Sequence, residues 1–224
     1  MATHKLNIAR LRGCPPPEEV AAALEEYGLP EDTQFGVLNH HATDAAVFAT
    51  VVQRTTTAVQ RLDRKAREVL SAAVEKATVF PFCAAPGKER LEIYAGSTTS
   101  VEHIGGFLAS DLALPCLAEP IELDMPAALE KLAASAERFQ FRSVRVKDYA
   151  HNSFMNGPYA PKFLDSEHGR EFLEQYAENV QAAAVRFQGP TGRVTAHLCP
   201  TASFRFSCED DDVPTVRAML TKLI

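Results

Sequence analysis

The pattern that most constrains the fold is a strand, a turn, a second strand and an amphipathic helix, and this pattern occurs twice. In the first copy, residues 77–84 and 91–96 flank a turn, and apolar residues then follow at helical spacing. In the second copy, the strands are residues 192–199 and 203–209, and a helix at 212–223 ends the chain. Alternating strands of this kind, joined by short turns, predict an antiparallel sheet with one face buried.

The two copies also agree in register and in what precedes them. Val101, Ile104 and Leu108 match Val213, Val216 and Leu220 at a constant offset of 112 residues. Each half opens with an alternating strand followed by a helix. These segments are residues 4–12 and 17–27 in the first half and 139–148 and 166–178 in the second. The agreement predicts an internal duplication, although strands and helices of this kind resemble each other in many α+β proteins.

We therefore predict two α+β halves, residues 1–110 and 125–224, joined by a connector at 111–124 that contains Pro115 and Pro120. The predicted fold is a mainly antiparallel sheet with helices on one face, built from pseudo-duplicated β-α-β(n)-α halves. This layout is similar to that of the saddle-shaped TATA-binding-protein fold, although no sequence motif of that family is present. The resemblance implies that the second face of the sheet is open to a partner.

Charge and cysteine content narrow the classes of function. Lys plus Arg is 23 and Asp plus Glu is 29, which gives a net charge of −6. An acidic chain is a poor general polyanion binder unless its positive charge is concentrated on one face. The five cysteines form no CxxC pair, and neither a signal peptide nor an apolar run of about 20 residues is evident. We expect a cytoplasmic protein with free thiols and without a membrane span.

Basic residues follow several of the predicted strands. Arg145 and Lys147 alternate with apolar residues, as do Arg10 and Arg12, so each pair shares one strand face. Such a face could meet phosphates or an acidic protein, whereas the alternative is solvated charge that protects edge strands from aggregation. The predicted basic face consists of Arg10, Arg12, Arg54, Arg61, Arg142, Arg145 and Lys147.

Residues 149–164 show no periodicity, contain two prolines and concentrate aromatic and hydrogen-bonding side chains. We predict a long loop here, and loops of this length are often functional. The candidate partner-binding residues are Tyr149, His151, Asn152 and Tyr159. The alternative is a crossover that packs over the sheet.

Two groups of residues could hold a metal. His40 and His41 precede Asp44, but neighbouring strand residues point to opposite faces, and a polar hairpin turn explains the three residues better than a metal site does. The acidic run 209–212 could bind a hard cation, but Asp212 also suits the N-cap of the last helix. We predict no metal site, no cofactor and no catalytic residue.

The sequence predicts a non-catalytic recognition or adaptor subunit whose partner is a protein. One alternative is a nucleic-acid-binding saddle that uses the basic face. Another is a hydrolase or metal-dependent enzyme centred on His40, His41 and Asp44. The oligomeric state is not predicted.

Overall fold

A computed structural model describes residues 2–63, 68–97, 99–152 and 155–224. For residues 61–63, 68–70, 148, 150–152 and 155–156 it describes the backbone alone. The predicted α+β class is confirmed: the described residues include five α-helices and a large antiparallel sheet.

The helices are α1 (Pro17–Tyr27), α2 (Thr99–Gly106), α3 (Met125–Ser135), α4 (Ser166–Gln175) and α5 (Val213–Thr221). The strands are β1 (Ala2–Arg12), β2 (Phe35–Ala42), β3 (Val47–Asp63), β4 (Glu68–Ala85), β5 (Arg90–Ile93), β6 (Leu117–Pro120), β7 (Glu137–Asn152), β8 (Met155–Tyr159), β9 (Val180–Gln188), β10 (Arg193–Cys199) and β11 (Ser203–Cys208).

The chain forms two compact units. The large unit comprises Met1–Arg10, Glu92–Val101 and Glu119–Ile224, and the small unit comprises Leu11–Leu91 and Glu102–Ala118. In the large unit the strands are neighbours in the order β1, β11, β10, β9, β7 and β8. In the small unit the order is β2, β3, β4 and β5.

The core of the large unit follows from the alternation of its strands. Leu6, Phe204 and Leu198 lie directly opposite one another on β1, β11 and β10, and each is at most 1% exposed. Leu129 of α3 and Leu220 of α5 belong to the same buried cluster. Because successive side chains on a strand point to opposite faces, the residues between these apolar positions lie on the other side of the sheet.

The small unit is dominated by a long hairpin. Strands β3 and β4 pair without interruption from Val47 opposite Ala84 to Asp63 opposite Glu68. Near its base the hairpin is buried, as at Val51 and Phe82. The sequence of residues 63–74 suits either a helix or a strand. The described residues of this segment, 63 and 68–74, lie in strands.

Local signals place most helix ends correctly. Helix α1 begins at Pro17, as predicted, and ends before Gly28, which has a positive φ of 60°. The side chains of Asp124 and Asp165 accept hydrogen bonds from the first turns of α3 and α4. A proline or an aspartate at these positions satisfies or removes an unpaired backbone N–H, which explains why they mark the starts.

The prediction of a long loop at residues 149–164 is wrong. Strand β7 continues to Asn152, and β8 pairs with it antiparallel from Met155 to Tyr159, with two register shifts. Backbone pairing and aromatic packing stabilise this hairpin, and neither requires a regular alternation of polarity in the sequence.

The acidic run ends in a residue with an unexpected role. Asp212 is 0% exposed, precedes α5, and makes no capping hydrogen bond with its side chain. Its carboxylate instead accepts hydrogen bonds from the backbone N–H of Thr191 and of Gly192, at 3.0 and 3.2 Å, in the turn between β9 and β10. The predicted N-cap is therefore a tertiary contact.

Candidate functional site

The open side of the large unit's sheet carries a row of basic side chains. Lys5 on β1 lies opposite Arg205 on β11, and Arg205 lies opposite His197 on β10. Directly opposite residues in antiparallel strands point to the same face. All three side chains are exposed and belong to the side that does not carry Leu6 and Phe204.

Other basic residues extend this row. Arg186 on β9 is opposite Thr195, which shares its side of β10 with His197. Arg145 on β7 is opposite Ala182, which lies on the same face of β9 as Arg186. Arg193 begins β10 on this side as well. We define the basic sheet face as Lys5, Arg145, Arg186, Arg193 and Arg205.

The five cations of the basic sheet face form no ion pair with the described residues. Among the described residues, no carboxylate lies within salt-bridge distance of any of its five cations. Among the described residues, register places Glu137 on this side, opposite Gln188 at the start of β7. The Nε atom of Arg186 is buried and has no hydrogen-bond partner in the described structure.

The surroundings of His197 disfavour an additional positive charge on this face. The pKa of His197 is lowered, first because partial burial disfavours its charged form and second because the Arg205 guanidinium repels it. His197 is therefore neutral at pH 7. The side chains between the cations are small or polar and include Thr3, Ser207 and Thr195.

The predicted basic residues are distributed differently from expectation. Arg145 belongs to the basic sheet face, and Lys147 and Arg142 are exposed on the same strand. Simple alternation along β7 would bury Arg142. A register shift between Phe141 and Ser143 explains why its side chain is exposed instead. Arg10 is exposed on β1, but alternation gives it the parity of the buried Leu6 and not that of Lys5, so it does not belong to the basic sheet face.

The remaining predicted basic residues, Arg12, Arg54 and Arg61, fall within the small unit. Arg12 is exposed at the end of β1. Arg54 anchors a loop of the small unit: its Nη1 donates hydrogen bonds to the carbonyl oxygens of Glu31 and Thr33, at 3.2 and 3.3 Å. The side chain of Arg61 lies outside the described residues.

The predicted basic face includes one of the five residues, Arg145, and misses Lys5, Arg186, Arg193 and Arg205, although the sequence carries a signal for the missed residues. Arg186, Arg193 and Arg205 alternate with residues that the same strands bury, such as Phe204 and Phe187. A search for cations at the polar positions of every alternating strand would have found them. Which of these strands are neighbours could not be read from the sequence.

Two of the four predicted partner-binding residues come together. The rings of Tyr149 and Tyr159 stack at a centroid distance of 4.4 Å, and Phe172 and Tyr176 of the α4 region pack against Tyr149. Tyr159 remains 44% exposed. The side chains of His151 and Asn152 lie outside the described residues. The aromatic cluster attaches the hairpin of β7 and β8 to α4.

The histidine pair does not assemble a metal site in the described structure. His40 and His41 are adjacent on β2, and the Nε2 atom of His40 is 3.3 Å from Glu25 of α1. His41 and Asp44 are exposed. Across the described ranges, no group of three or more His, Cys, Asp or Glu side chains could hold a metal ion.

The outer part of the long hairpin forms a second candidate surface. We define the arm as residues 56–60 and 71–76, all of which are exposed. Val59 and Val74 share one side of the arm, because Val59 is opposite Ala72 and Thr57 is opposite Val74. They are 45% and 47% exposed. Glu75 and Lys76 are the charged residues of the arm.

Comparison with known proteins does not assign a family. No protein-family model matches the chain, and no curated protein is significantly similar to it. Within the described part of the chain, none of the helices has the length and apolar character that a membrane span requires.

Proposed function

We propose that this protein is a non-catalytic recognition subunit that binds nucleic acid through the basic sheet face of its large unit. The observation that carries the proposal is the set of five cations on one side of one sheet, with no carboxylate among the described residues in a salt bridge to them. Protein sheets that face water usually mix both signs of charge. A face with five unpaired cations concentrates positive potential.

Phosphates are the group that such a face would bind most favourably. Each Lys or Arg that neutralises a phosphate releases condensed counterions, and this release drives association. The net charge of −6 does not oppose local binding strongly, because charges farther away than about 10 Å are screened at about 0.1 M salt.

The face favours contact with the nucleic acid backbone over recognition of single bases. By register, its positions hold mainly Ser, Thr, Ala, Gln, His and basic residues, together with Asn7, Cys199 and Glu137, and no Phe or Tyr is present among these paired positions. Unpaired bases are usually held by stacking on aromatic rings. We therefore propose binding with little sequence preference.

The experiment is a fluorescence-anisotropy titration of labelled duplex and single-stranded oligonucleotides at low salt. Wild-type protein should bind, and Lys5→Ala and Arg205→Ala should each weaken binding about tenfold, the loss expected for a charge-assisted hydrogen bond. Lys131→Ala and Arg170→Ala remove exposed cations from α3 and α4 and should bind like the wild type. Absence of binding at about 50 mM salt, where phosphate contacts are strong, would exclude the proposal.

A second candidate function, recognition of a protein partner, is favoured by the arm. Its strands are exposed on both sides, although an isolated two-stranded hairpin is at best marginally stable in water. One side of the arm exposes Val59 and Val74 and carries few charges. Such a side suits contact with a protein surface better than contact with phosphates. Exposed strands can also add to the edge of a partner's sheet.

Affinity purification from the source cells would test the second candidate. Wild-type protein and a Gln60→Asp control, changed on the opposite side of the arm, should retain a stoichiometric partner. A Val59→Asp/Val74→Asp variant should lose it. A partner retained by all three proteins, or by none, would argue against a role of the arm. Light scattering would identify a second copy of this chain as the partner.

The order of elements supports the duplicated halves in a modified form. The first half runs β1, α1, β2, β3, β4, β5 and α2. The second runs β6, α3, β7, β9, β10, β11 and α5 if the segment from β8 to α4 is regarded as an insertion. We propose that the second half begins at β6, and not at the strand 139–148. The saddle-like layout remains a hypothesis.

A further inference from the structure

Two separate segments of the small unit approach each other closely where β1 ends. Gly13 has a φ of 65°, and a Cβ atom at this position would lie 2.6 Å from the carbonyl oxygen of Pro115. Any residue with a side chain would clash with that backbone, so a glycine is required here. The residue that follows each of these two is a cysteine, so the close approach of Gly13 and Pro115 brings Cys14 and Cys116 into the same neighbourhood.

The two cysteines are free thiols, and the side chain of each affects the protonation of the other. The hydrogen bond from Cys14 lowers the pKa of Cys116, and the same hydrogen bond, together with burial, raises the pKa of Cys14. A thiolate that is stabilised by a second thiol is the arrangement found in reactive cysteine pairs. The chain is therefore disposed to react at this position through both sulfurs.

Small molecules can reach the pair from solvent. Cys14 is partly exposed and lines a cavity of about 550 Å³, whose walls also include Pro16, Pro17, Pro86 and Lys88. Cys116 is 7% exposed and is not among the residues that line the cavity. The cavity thus gives a small oxidant access to Cys14, and Cys116 is the more deeply buried sulfur of the pair.

We propose that Cys14 and Cys116 form an oxidation site at which a peroxide converts two thiols into a disulfide. One thiolate of the pair attacks a peroxide oxygen, the O–O bond breaks, and the sulfur becomes a sulfenic acid while water leaves after protonation. The other sulfur then attacks the sulfenic sulfur, the S–O bond breaks, and its proton leaves with the hydroxide as a second water. Two thiols lose two electrons and two protons, and hydrogen peroxide is reduced to two waters.

The disulfide would close a loop of about 100 residues. Such a cross-link restricts the unfolded chain, and the stabilisation increases with the length of the loop. For a chain of this size the melting temperature should rise by about 10 °C on oxidation. A disulfide reductant should reverse the change, as expected for a reversible thiol pair.

The experiment treats the full-length protein with hydrogen peroxide, counts thiols after denaturation and maps cross-linked peptides. Wild-type protein should lose two of its five thiols, yield one peptide pair that joins Cys14 to Cys116, and gain melting temperature. Cys199→Ser, which removes another partly exposed thiol, should behave in the same way. Cys14→Ser and Cys116→Ser should give no cross-link and no gain in melting temperature.

The peptide map of the wild-type protein decides the proposal even if a variant fails to fold. Five thiols that persist after treatment, oxidation of one cysteine to a sulfinic acid, or a cross-link between other cysteines would each overturn it. Recovery of all five thiols by dithiothreitol, with return of the original melting temperature, would support it.

Discussion

The basic sheet face and the arm are both exposed, but they differ in charge and in what lies beneath them. The face carries five cations above a packed core, with Phe204 and Leu198 on the other side of the same strands. The arm carries Glu75 and Lys76 and is exposed on both of its sides. The comparison teaches that the two surfaces suit different ligands. The basic sheet face, which lies on a packed core, suits phosphates, whereas the arm, which has no core beneath it, needs a partner that covers its apolar side chains.

The largest difference should appear in stability. Phe204→Ala removes a fully buried side chain from beneath the face and should cost about 3–5 kcal/mol of unfolding free energy, from lost burial and the cavity left behind. Val74→Ala on the arm should change it by less than about 0.5 kcal/mol. Urea denaturation measures both. Equal losses for the two variants would mean that the arm is packed like the core.

A smaller loss of unfolding free energy is expected at the turn between β9 and β10, which is held by the carboxylate of Asp212. Asp212→Asn replaces one of the two acceptor oxygens by an NH₂ donor opposite the N–H groups of Thr191 and Gly192. It should cost about 1–3 kcal/mol, the typical penalty for a buried group left unpaired. Asp211→Asn, an exposed neighbour, is the control and should be nearly neutral. If both variants melt alike, the contact of Asp212 is not stabilising.

Salt dependence compares the charges of the two surfaces directly. If all five cations of the face meet phosphates, log Kobs should fall with log salt with a slope of about −4.5, at about −0.9 for each contact. Arg205→Ala should reduce this slope by about 0.9, and Lys76→Ala of the arm should leave it unchanged. Oligonucleotide titrations at several salt concentrations measure the slopes. A slope that changes for Lys76→Ala alone would assign phosphate binding to the arm.

The smallest effect concerns the pH dependence of binding. In the free protein the pKa of His197 lies below its ordinary value of 6.5, and a bound phosphate would raise this pKa. Affinity should therefore rise as the pH falls below about 6.5, by less than about tenfold, because the protonated ring adds a charge to the face. His197→Gln should remove this dependence. A wild-type affinity that is constant between neutral and mildly acidic pH would show that His197 does not contact the ligand.

The accuracy of the sequence predictions follows the range of the interactions involved. Helix α1 and the alternating strands were predicted because capping, proline geometry and periodicity act within a few residues. The hairpin of β7 and β8 was missed because its register shifts and its contact between Tyr149 and α4 leave no periodic pattern. Arg54 was predicted to belong to a binding face because its contacts with the loop lie more than 20 residues away in the chain, where no local pattern indicates them.

The sequence by itself determined the α+β class, most element boundaries and which side chains of each strand point away from the core, since these depend on local spacing. Only the tertiary structure decided which strands are neighbours. That order brings Lys5 beside Arg205 across about 200 positions of chain and places Cys14 against Cys116. Contacts at such separations depend on how complete elements pack, and no local pattern encodes them.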